Sequence, residues 1–279
     1  GLKQYALPLK TFTDAVRIRD TIWNLAMSEQ KEIKVVVGGG GSTGVELAAE
    51  LRVWCGQLEA AFKKCRLEVS VVQSTPTVLP GFPAKVTRHV EKRLTERLGV
   101  RLVLGERIAS VERETIMLSR GHILPYDILI WAGGTRAPEI FSALPLHSEE
   151  RGRIMALGSL ECIPKTPGLK LPKKIYALGD AVCFSDKNGA PIPAVARAAI
   201  SQANVVAHNI MEEIKHEVSQ NYKLKPKSYM PMEYPYIVPV GGKYAVAKFG
   251  PIIISGFWGW VLKGLVELNY LISIMPLRH

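Results

Sequence analysis

The chain has 279 residues, is 47% hydrophobic, and carries 36 lysines and arginines against 25 aspartates and glutamates, a formal net charge of +11. That length leaves room for one large or two ordinary domains with a full core, and the composition is that of a globular protein. The basic residues are spread along the chain, which suits anionic cofactors or an anionic membrane surface, and no zinc knuckle or other nucleic-acid signature accompanies them, so nucleic acid ranks last as a partner.

The four cysteines (Cys55, Cys65, Cys162, Cys183) form neither a C-x-x-C pair nor a metal-ligand spacing. They read as reduced, mostly buried thiols of a reducing compartment rather than as a redox pair of Cys162 with Cys183, and no metal site is expected. No signal peptide opens the chain, and the start at Gly1 in place of Met is expected of a trimmed or partial product.

Residues 1–10 are predicted extended. A helix over 14–29 follows, capped by Thr11 or Thr13, with Ala15, Ile18, Ile22, Leu25 and Ala26 at helical spacing. The run Val35, Val36, Val37 within a strand at 33–37 then enters a glycine cluster in which Gly39, Gly41 and Gly44 fit G-x-G-x-x-G. The three glycines serve different ends. The first permits a tight turn, the second lets the backbone approach a pyrophosphate, and the third lets the helix pack close on the strand. Amides around Ser42, Thr43 and Gly44, with the positive end of the helix dipole, suit a diphosphate. Four consecutive glycines exceed what a plain strand-to-helix turn requires.

The fingerprint helix is predicted over 43–64, with Val45, Ala48, Ala49 and Leu51 toward a sheet, and 67–72 is the second strand of one βαβ unit. Its end normally carries an acid that hydrogen-bonds the adenosine ribose; here the residue is Gln73, and no arginine follows in Ser74-Thr75-Pro76 to receive a 2′-phosphate. NADH is expected over NADPH. Residues 85–98 read as a basic amphipathic helix with Val86, Val90 and Leu94 on one side, stopped by Gly99, and 100–104 as a strand. Short antiparallel strands are predicted at 108–112, 116–118 and 123–124, and a buried strand at 127–131 runs into Ala132-Gly133-Gly134-Thr135. A β-meander before the last parallel strand is unusual in a plain dehydrogenase and points to flavoenzymes with two dinucleotides.

After a Pro-rich connection (Pro138, Pro145, Pro164, Pro167, Pro172), a strand at 175–178 is predicted to deliver Gly179-Asp180, whose carboxylate can accept hydrogen bonds from a sugar-alcohol chain; a plain Gly-Asp turn is the competing reading. A helix over 194–216, a basic linker at 223–227 and an extended aromatic-rich stretch at 229–246 complete this part.

Four motifs, V-V-V-G-G-G-G-S-T-G-V-E-L-A-A-E-L, D-I-L-I-W-A-G-G, I-Y-A-L-G-D-A-V and F-G-P-I-I-I-S-G-F-W-G-W, occur in the order of the type II NADH dehydrogenases. These are non-proton-pumping NADH:quinone oxidoreductases of the FAD-dependent pyridine nucleotide-disulfide oxidoreductase superfamily, which the chain resembles over essentially its whole length. The resemblance implies that Gly39, Gly41 and Gly44 cradle the NADH diphosphate, that Glu46 lies near the nicotinamide end, and that Gly133 and Gly134 border the nicotinamide pocket. It also implies that Asp180, with Gly179 and Ala181 beside it, contacts the ribityl-phosphate portion of FAD. Two departures stand out. No second G-x-G-x-x-G is present, so the chain looks like the family without its N-terminal FAD segment. The family's quinone-side A-Q-x-x-x-Q is best placed on Ala196-Arg197 and Ser201, with both glutamines replaced, although a one-residue shift brings in Gln202.

In the tail, over 252–275, Gly256, Gly259, Lys263, Glu267 and Tyr270 make a narrow polar stripe opposite Phe257, Val261, Leu265, Leu268, Ile272 and Met275. Lys263 and Glu267 stand i,i+4 and can pair. A central charge pair argues against a spanning helix. The tail reads as an interfacial amphipathic helix with Trp258 and Trp260 in the headgroup region; a helix capping the domain or packing in a homodimer is the competing reading.

The expected architecture is therefore α/β. A connecting segment and helix (1–30) precede a Rossmann-like NAD(H)-binding domain with an inserted β-meander (31–137), part of an FAD-binding domain (138–220) and a C-terminal amphipathic membrane-docking region (221–279). The expected activity is hydride transfer from NADH to FAD and onward electron transfer to a membrane quinone, by a protein peripheral on the inner face of the cytoplasmic membrane or on the mitochondrial inner membrane. Because the cofactor supplies the chemistry, no side-chain acid or base is nominated as catalytic. Two readings compete: a soluble NAD(P)H-dependent flavin oxidoreductase with a protein, disulfide or oxygen acceptor, and a non-enzymatic NADH-binding module.

Overall fold

The structure, a computed structural model, describes residues 1–28, 32–61, 66–134, 136–169, 173–185, 195–232 and 234–275. Cys65, Thr135, Pro172 and Ala194 lie outside the described residues, as do Glu29 and Lys64, the ends predicted for the first two long helices. The chain forms two compact units, Gly1–Gly134 with Pro235–His279, and Thr135–Tyr234.

The first unit opens on a single helical turn, α1 (Leu2–Tyr5), before a short strand, β1 (Ala6–Pro8), where extended chain was expected throughout. Leu2 and Tyr5 stand i,i+3, and both pack against the core under the β-meander, which rewards a turn over an extended segment. Helix α2 (Phe12–Met27) begins at Thr11, whose hydroxyl accepts from the Asp14 amide at 3.1 Å while the Asp14 carboxylate accepts from the Thr11 amide at 2.9 Å. This is a reciprocal capping box.

Strand β2 (Glu32–Gly38), helix α3 (Ser42–Ala61) and strand β3 (Arg66–Gln73) form the βαβ unit. Helix α4 (Ala84–Lys92) widens into a π turn over Arg93–Arg97, where a single α-helix was expected, and β4 (Arg101–Leu104) follows. Strands β5 (Ile108–Val111), β6 (Thr115–Leu118) and β7 (Ile123–Pro125) make the antiparallel meander, and β8 (Ile128–Trp131) returns to the main sheet.

The main sheet is parallel throughout, in the order β1-β8-β2-β3-β4. Side chains on a strand alternate between faces. Val35 and Val37 accordingly enter the larger core with Ile22 of α2, Ala48 and Ala49 of α3 and Val90 of α4, while Val36 joins Ile116, Leu118 and Leu124 of the meander. Helices α2, α3 and α4 thus lie against one face of the sheet and the meander against the other.

In the second unit, β9 (Ile154–Met155) and β10 (Val182–Cys183) pair in parallel beside helix α5 (Ala196–Val218). The strand expected at 175–178 is not formed. Its backbone exchanges bonds with the neighbouring irregular segment (Cys162 amide to Ile175 carbonyl, Ala177 amide to Leu160 carbonyl), too short a run for a ladder, and only Tyr176 makes a bridge, to Glu161. The basic stretch expected as a linker is pinned to α5. Asn209 clamps Lys227 through both backbone groups, and Glu212 accepts from Lys215, the Tyr222 hydroxyl and the Lys225 amide.

The chain returns to the first unit with the antiparallel strands β11 (Tyr236–Pro239), β12 (Ala245–Phe249) and β13 (Ile252–Gly256), followed by α6 (Phe257–Ile274). Residues 252–256, expected within the tail helix, are a strand because three consecutive isoleucines pair with β12, and Gly256, at φ +88°, ends the pairing and lets the helix start. The first half of the supposed polar stripe is a packing seam: a Cβ on Gly259 would lie 2.3 Å from the Ala245 carbonyl oxygen. Phe257, Trp258, Leu265, Leu268, Ile272 and Met275 are exposed. Lys263 pairs with Glu267 as expected. Among the described residues no helix is long and apolar enough to cross a membrane.

Candidate functional site

The site is built at the carboxyl ends of β2, β3 and β8, where a parallel sheet leaves a crevice for ligands. Gly39 adopts φ +119° and sits so close to the strand end of β8 that a Cβ would lie 2.5 Å from the Ala132 carbonyl oxygen. A Cβ on Gly44 would lie 1.8 Å from the Gly39 carbonyl oxygen, so only glycine lets α3 start this near the turn. At Gly41 an added Cβ would meet nothing within 4 Å. The glycines at the two ends of the motif are demanded by the protein's own packing and the middle one is not, which leaves its open side as the approach for a ligand. Ser42 and Thr43, both exposed in the first turn of α3, flank that opening, where the orphan amides and helix dipole favour an anion.

Gln73, at the end of β3, is turned into the loop. Its Oε1 accepts from the Gly40 amide at 2.7 Å, and its Nε2 donates to the Thr75 hydroxyl at 2.7 Å. A cavity of about 250 Å³ opens beside it, lined by Gly39, Gln73, Ser74, Arg107, Trp131 and Gly133 among others. The Trp131 indole lies against Gly38 and Gly133; a Cβ on Gly133 would stand 2.4 Å from the ring, so glycine there makes room for the tryptophan. Gly134, at φ +105°, leaves open space at its Cβ position. Glu106 also lines the cavity. Burial acts to raise its pKa, but hydrogen bonds from His122, the Arg120 amide and Ser119 outweigh it and hold the carboxyl below its ordinary range.

Glu46, in the second turn of α3, has its pKa pushed up to about 7. Burial is the main cause; Glu50 adds to it, and the Lys263 ammonium of α6 opposes it. The sequence paired Lys263 with Glu267 alone, and nothing in the spacing announced that its charge also reaches Glu46.

In the second unit, Gly179, Asp180 and Ala181 form a 3-10 turn rather than the tip of a strand. Gly179 adopts φ +62°, and its amide donates to Gln202 Oε1 at 2.7 Å. Asp180 is left exposed. Ala196 and Arg197 are exposed in the first turn of α5, Ser201 is half-buried, and Gln202 is buried on the side facing the turn. The structure therefore gathers Gly39, Gly41, Ser42, Thr43, Gly44, Gln73 and Gly133 around one turn in the first unit, with Gly134 and Glu46 in the same unit. Gly179–Ala181 and α5 stand together in the second. Cys162 is buried, which pushes its thiol up to about 11, and it forms no disulfide with Cys183. Among the described residues no cluster of histidine, cysteine, aspartate and glutamate fits a metal ion.

Residues 1–203 match the family model of the pyridine nucleotide-disulphide oxidoreductases. The chain is 28% identical to the type II NADH:quinone oxidoreductase Ndh of Mycobacterium tuberculosis over an alignment of 296 residues that takes in 97% of this chain and 59% of the relative. It is 24% identical to the demethylphylloquinone reductase NdbB of Synechocystis, covering 96% of this chain and 61% of the relative. It thus spans about three fifths of the length of these two relatives. Among solved structures, NDH2 from Plasmodium falciparum in complex with NADH superposes with a TM-score of 0.79 at 16% identity, covering 97% of this chain and 70% of that one, which shows a common mixed α/β fold. With nearly three quarters of its length inside the family model, this chain belongs to the pyridine nucleotide-disulphide oxidoreductase family.

Proposed function

We propose that this chain carries the nicotinamide-nucleotide site of an FAD-dependent NADH dehydrogenase that passes electrons to a membrane quinone. The observation that carries the reading is Gly41: a backbone with open space where a side chain would stand, at the start of a helix, between two glycines that packing demands. The likeness to type II NADH:quinone oxidoreductases over almost the whole chain supports the same reading. NADH is the substrate, with its diphosphate on the Gly39–Gly44 turn and its nicotinamide end toward Gly133, Gly134 and Glu46. Glu46, with a pKa near 7, takes up or releases a proton close to neutral pH. The exposed Asp180 fits a role as acceptor for sugar-alcohol hydroxyls, and Gln202 holds the turn that presents it. FAD, when bound, supplies the redox chemistry, accepting hydride and passing on two electrons.

The exposed apolar side of α6, with Trp258 and Trp260 at its start, is the surface for peripheral attachment to the inner face of a cytoplasmic or mitochondrial inner membrane, helped by the net positive charge. A second copy of the chain on the same face is the competing occupant. Calorimetric titration of the full chain with NADH tests the core of the proposal: saturable one-to-one binding that is weakened by substitution of Gly41 is expected, and absence of heat with the folded chain removes the assignment.

A second reading is favoured by one observation. Arg197 and Ser201 stand where the family's quinone-side glutamines are expected, and Gln202, one residue on, has its carbonyl engaged by the Gly179 amide. A flavin oxidoreductase with a protein, disulfide or oxygen acceptor fits that substitution. Turnover of the FAD-loaded protein with a vesicle-embedded quinone against a water-soluble acceptor separates the two.

A further inference from the structure

The geometry points to a carrier site that takes a 2′-phosphorylated dinucleotide, NADPH, as well as NADH, with Arg107 as the phosphate partner. The inference rests on the dinucleotide reading proposed above and concerns which carrier that site admits. Rossmann sites that select NADH place a carboxylate at the end of the second strand, where it accepts from the ribose 2′-hydroxyl and repels a 2′-phosphate. Here that position is Gln73, only 8% exposed, and its side chain is already committed. Its oxygen accepts from the Gly40 amide, and one of its two amide hydrogens goes to the Thr75 hydroxyl, which in turn donates to the Thr77 carbonyl. What remains on the side chain is one N–H donor and one lone pair of the oxygen, with no charge. An uncharged amide is a poor discriminator against phosphate.

The sequence offers no arginine directly after this strand, but the fold brings one from elsewhere. Arg107, in the connection after β4, lines the same cavity as Gln73 and Ser74. Arg120 adds positive charge nearby: its guanidinium is 3.5 Å from where a Cβ on Gly105 would stand. The acid in the lining, Glu106, is buried, and it accepts from the Ser119 hydroxyl, the Arg120 amide and the His122 ring. Its carboxylate oxygens are thus engaged by donors of the meander. A guanidinium beside a neutral amide is the arrangement that suits a 2′-phosphate.

Calorimetric titration of the full chain with NADPH and with NADH reads the inference as the ratio of the two dissociation constants. A ratio within about tenfold is expected for the native chain. Arg107→Ser, at an exposed position, is expected to shift the ratio against NADPH by about tenfold, the effect of losing one charge-assisted hydrogen bond. Gln73→Glu is expected to shift it the same way by a comparable factor, through repulsion. NADH binding with NADPH more than about a hundredfold weaker, or a ratio unmoved by Arg107→Ser, overturns the inference and leaves the NADH site standing. Failure of both carriers to bind the folded native chain removes the dinucleotide site as well as the inference.

Discussion

The carboxyl of Glu46 and the ammonium of Lys263, on helices at opposite ends of the first unit's sequence, act on one another: burial drives the Glu46 pKa up to about 7, and the charge on Lys263 restrains it from going higher. Carboxylate burial and a nearby cation are opposing influences on the same proton. Here burial prevails.

A stability dependence on pH follows. The folded pKa of Glu46 lies above its ordinary value of 4.5, so the stability linked to its protonated form is fully present below about 4.5 and is lost as pH rises through about 7. Glu46→Gln mimics the protonated form. It is expected to stabilise the chain by on the order of 2–3 kcal/mol at about pH 8 and to make little difference at about pH 4, in urea unfolding at the two pH values. Lys263→Met is expected to raise the Glu46 pKa further; an NMR titration of the Glu46 carboxyl that shows it lowered contradicts the assignment.

Gly44 and Gly41 separate packing from ligand approach. Gly44→Ala forces a Cβ to within 1.8 Å of the Gly39 carbonyl oxygen, so backbone must shift, and a loss of about 3 kcal/mol or more is expected. Gly41→Ala meets open space, so stability is expected to change by less than about 1 kcal/mol while NADH affinity falls about tenfold or more. Denaturant melts and calorimetry on the two variants check both halves; equal behaviour of the pair refutes the division of roles.

Gln202→Leu removes the acceptor of the Gly179 amide at a buried position. A cost of about 1–3 kcal/mol is expected, together with faster hydrogen exchange at Gly179. Unchanged protection there would show that the turn is held by other means.

Leu268 and Ile272 are 53% and 60% exposed on the free side of α6. Replacing both with glutamate is expected to leave stability within about 0.5 kcal/mol and to abolish co-sedimentation with vesicles of anionic phospholipid. If the native chain already fails to sediment and instead elutes as a dimer that the double variant splits, the face belongs to a second copy.

Much of the first unit was legible because its signals are local. The run of β-branched residues Val35, Val36 and Val37, the helical spacing of Ile18, Ile22 and Ala26, and the threonine cap, which the structure places on Thr11, depend on residues a few places apart. So does the spacing of the glycine motif, although the reason Gly39 must be glycine, its approach to Ala132, came only with the fold.

Other features came only with tertiary structure. Residues 252–254 could join a helix or a strand, and the presence of β12 as a pairing partner decided for the strand; residues 175–178 have strand-like composition, but their partner segment was too irregular to make a ladder. Which side of α6 is covered was set by the contact of Gly259 with Ala245, not by its hydropathy pattern. The arrival of Arg107 beside Gln73, and of the Lys263 charge at Glu46, required strands and helices far apart in the chain to be brought together. Periodicity and glycine placement specify which elements form, because those are properties of neighbouring residues; charge, burial and shared cavities arise between elements, and they exist only once the chain has closed on itself.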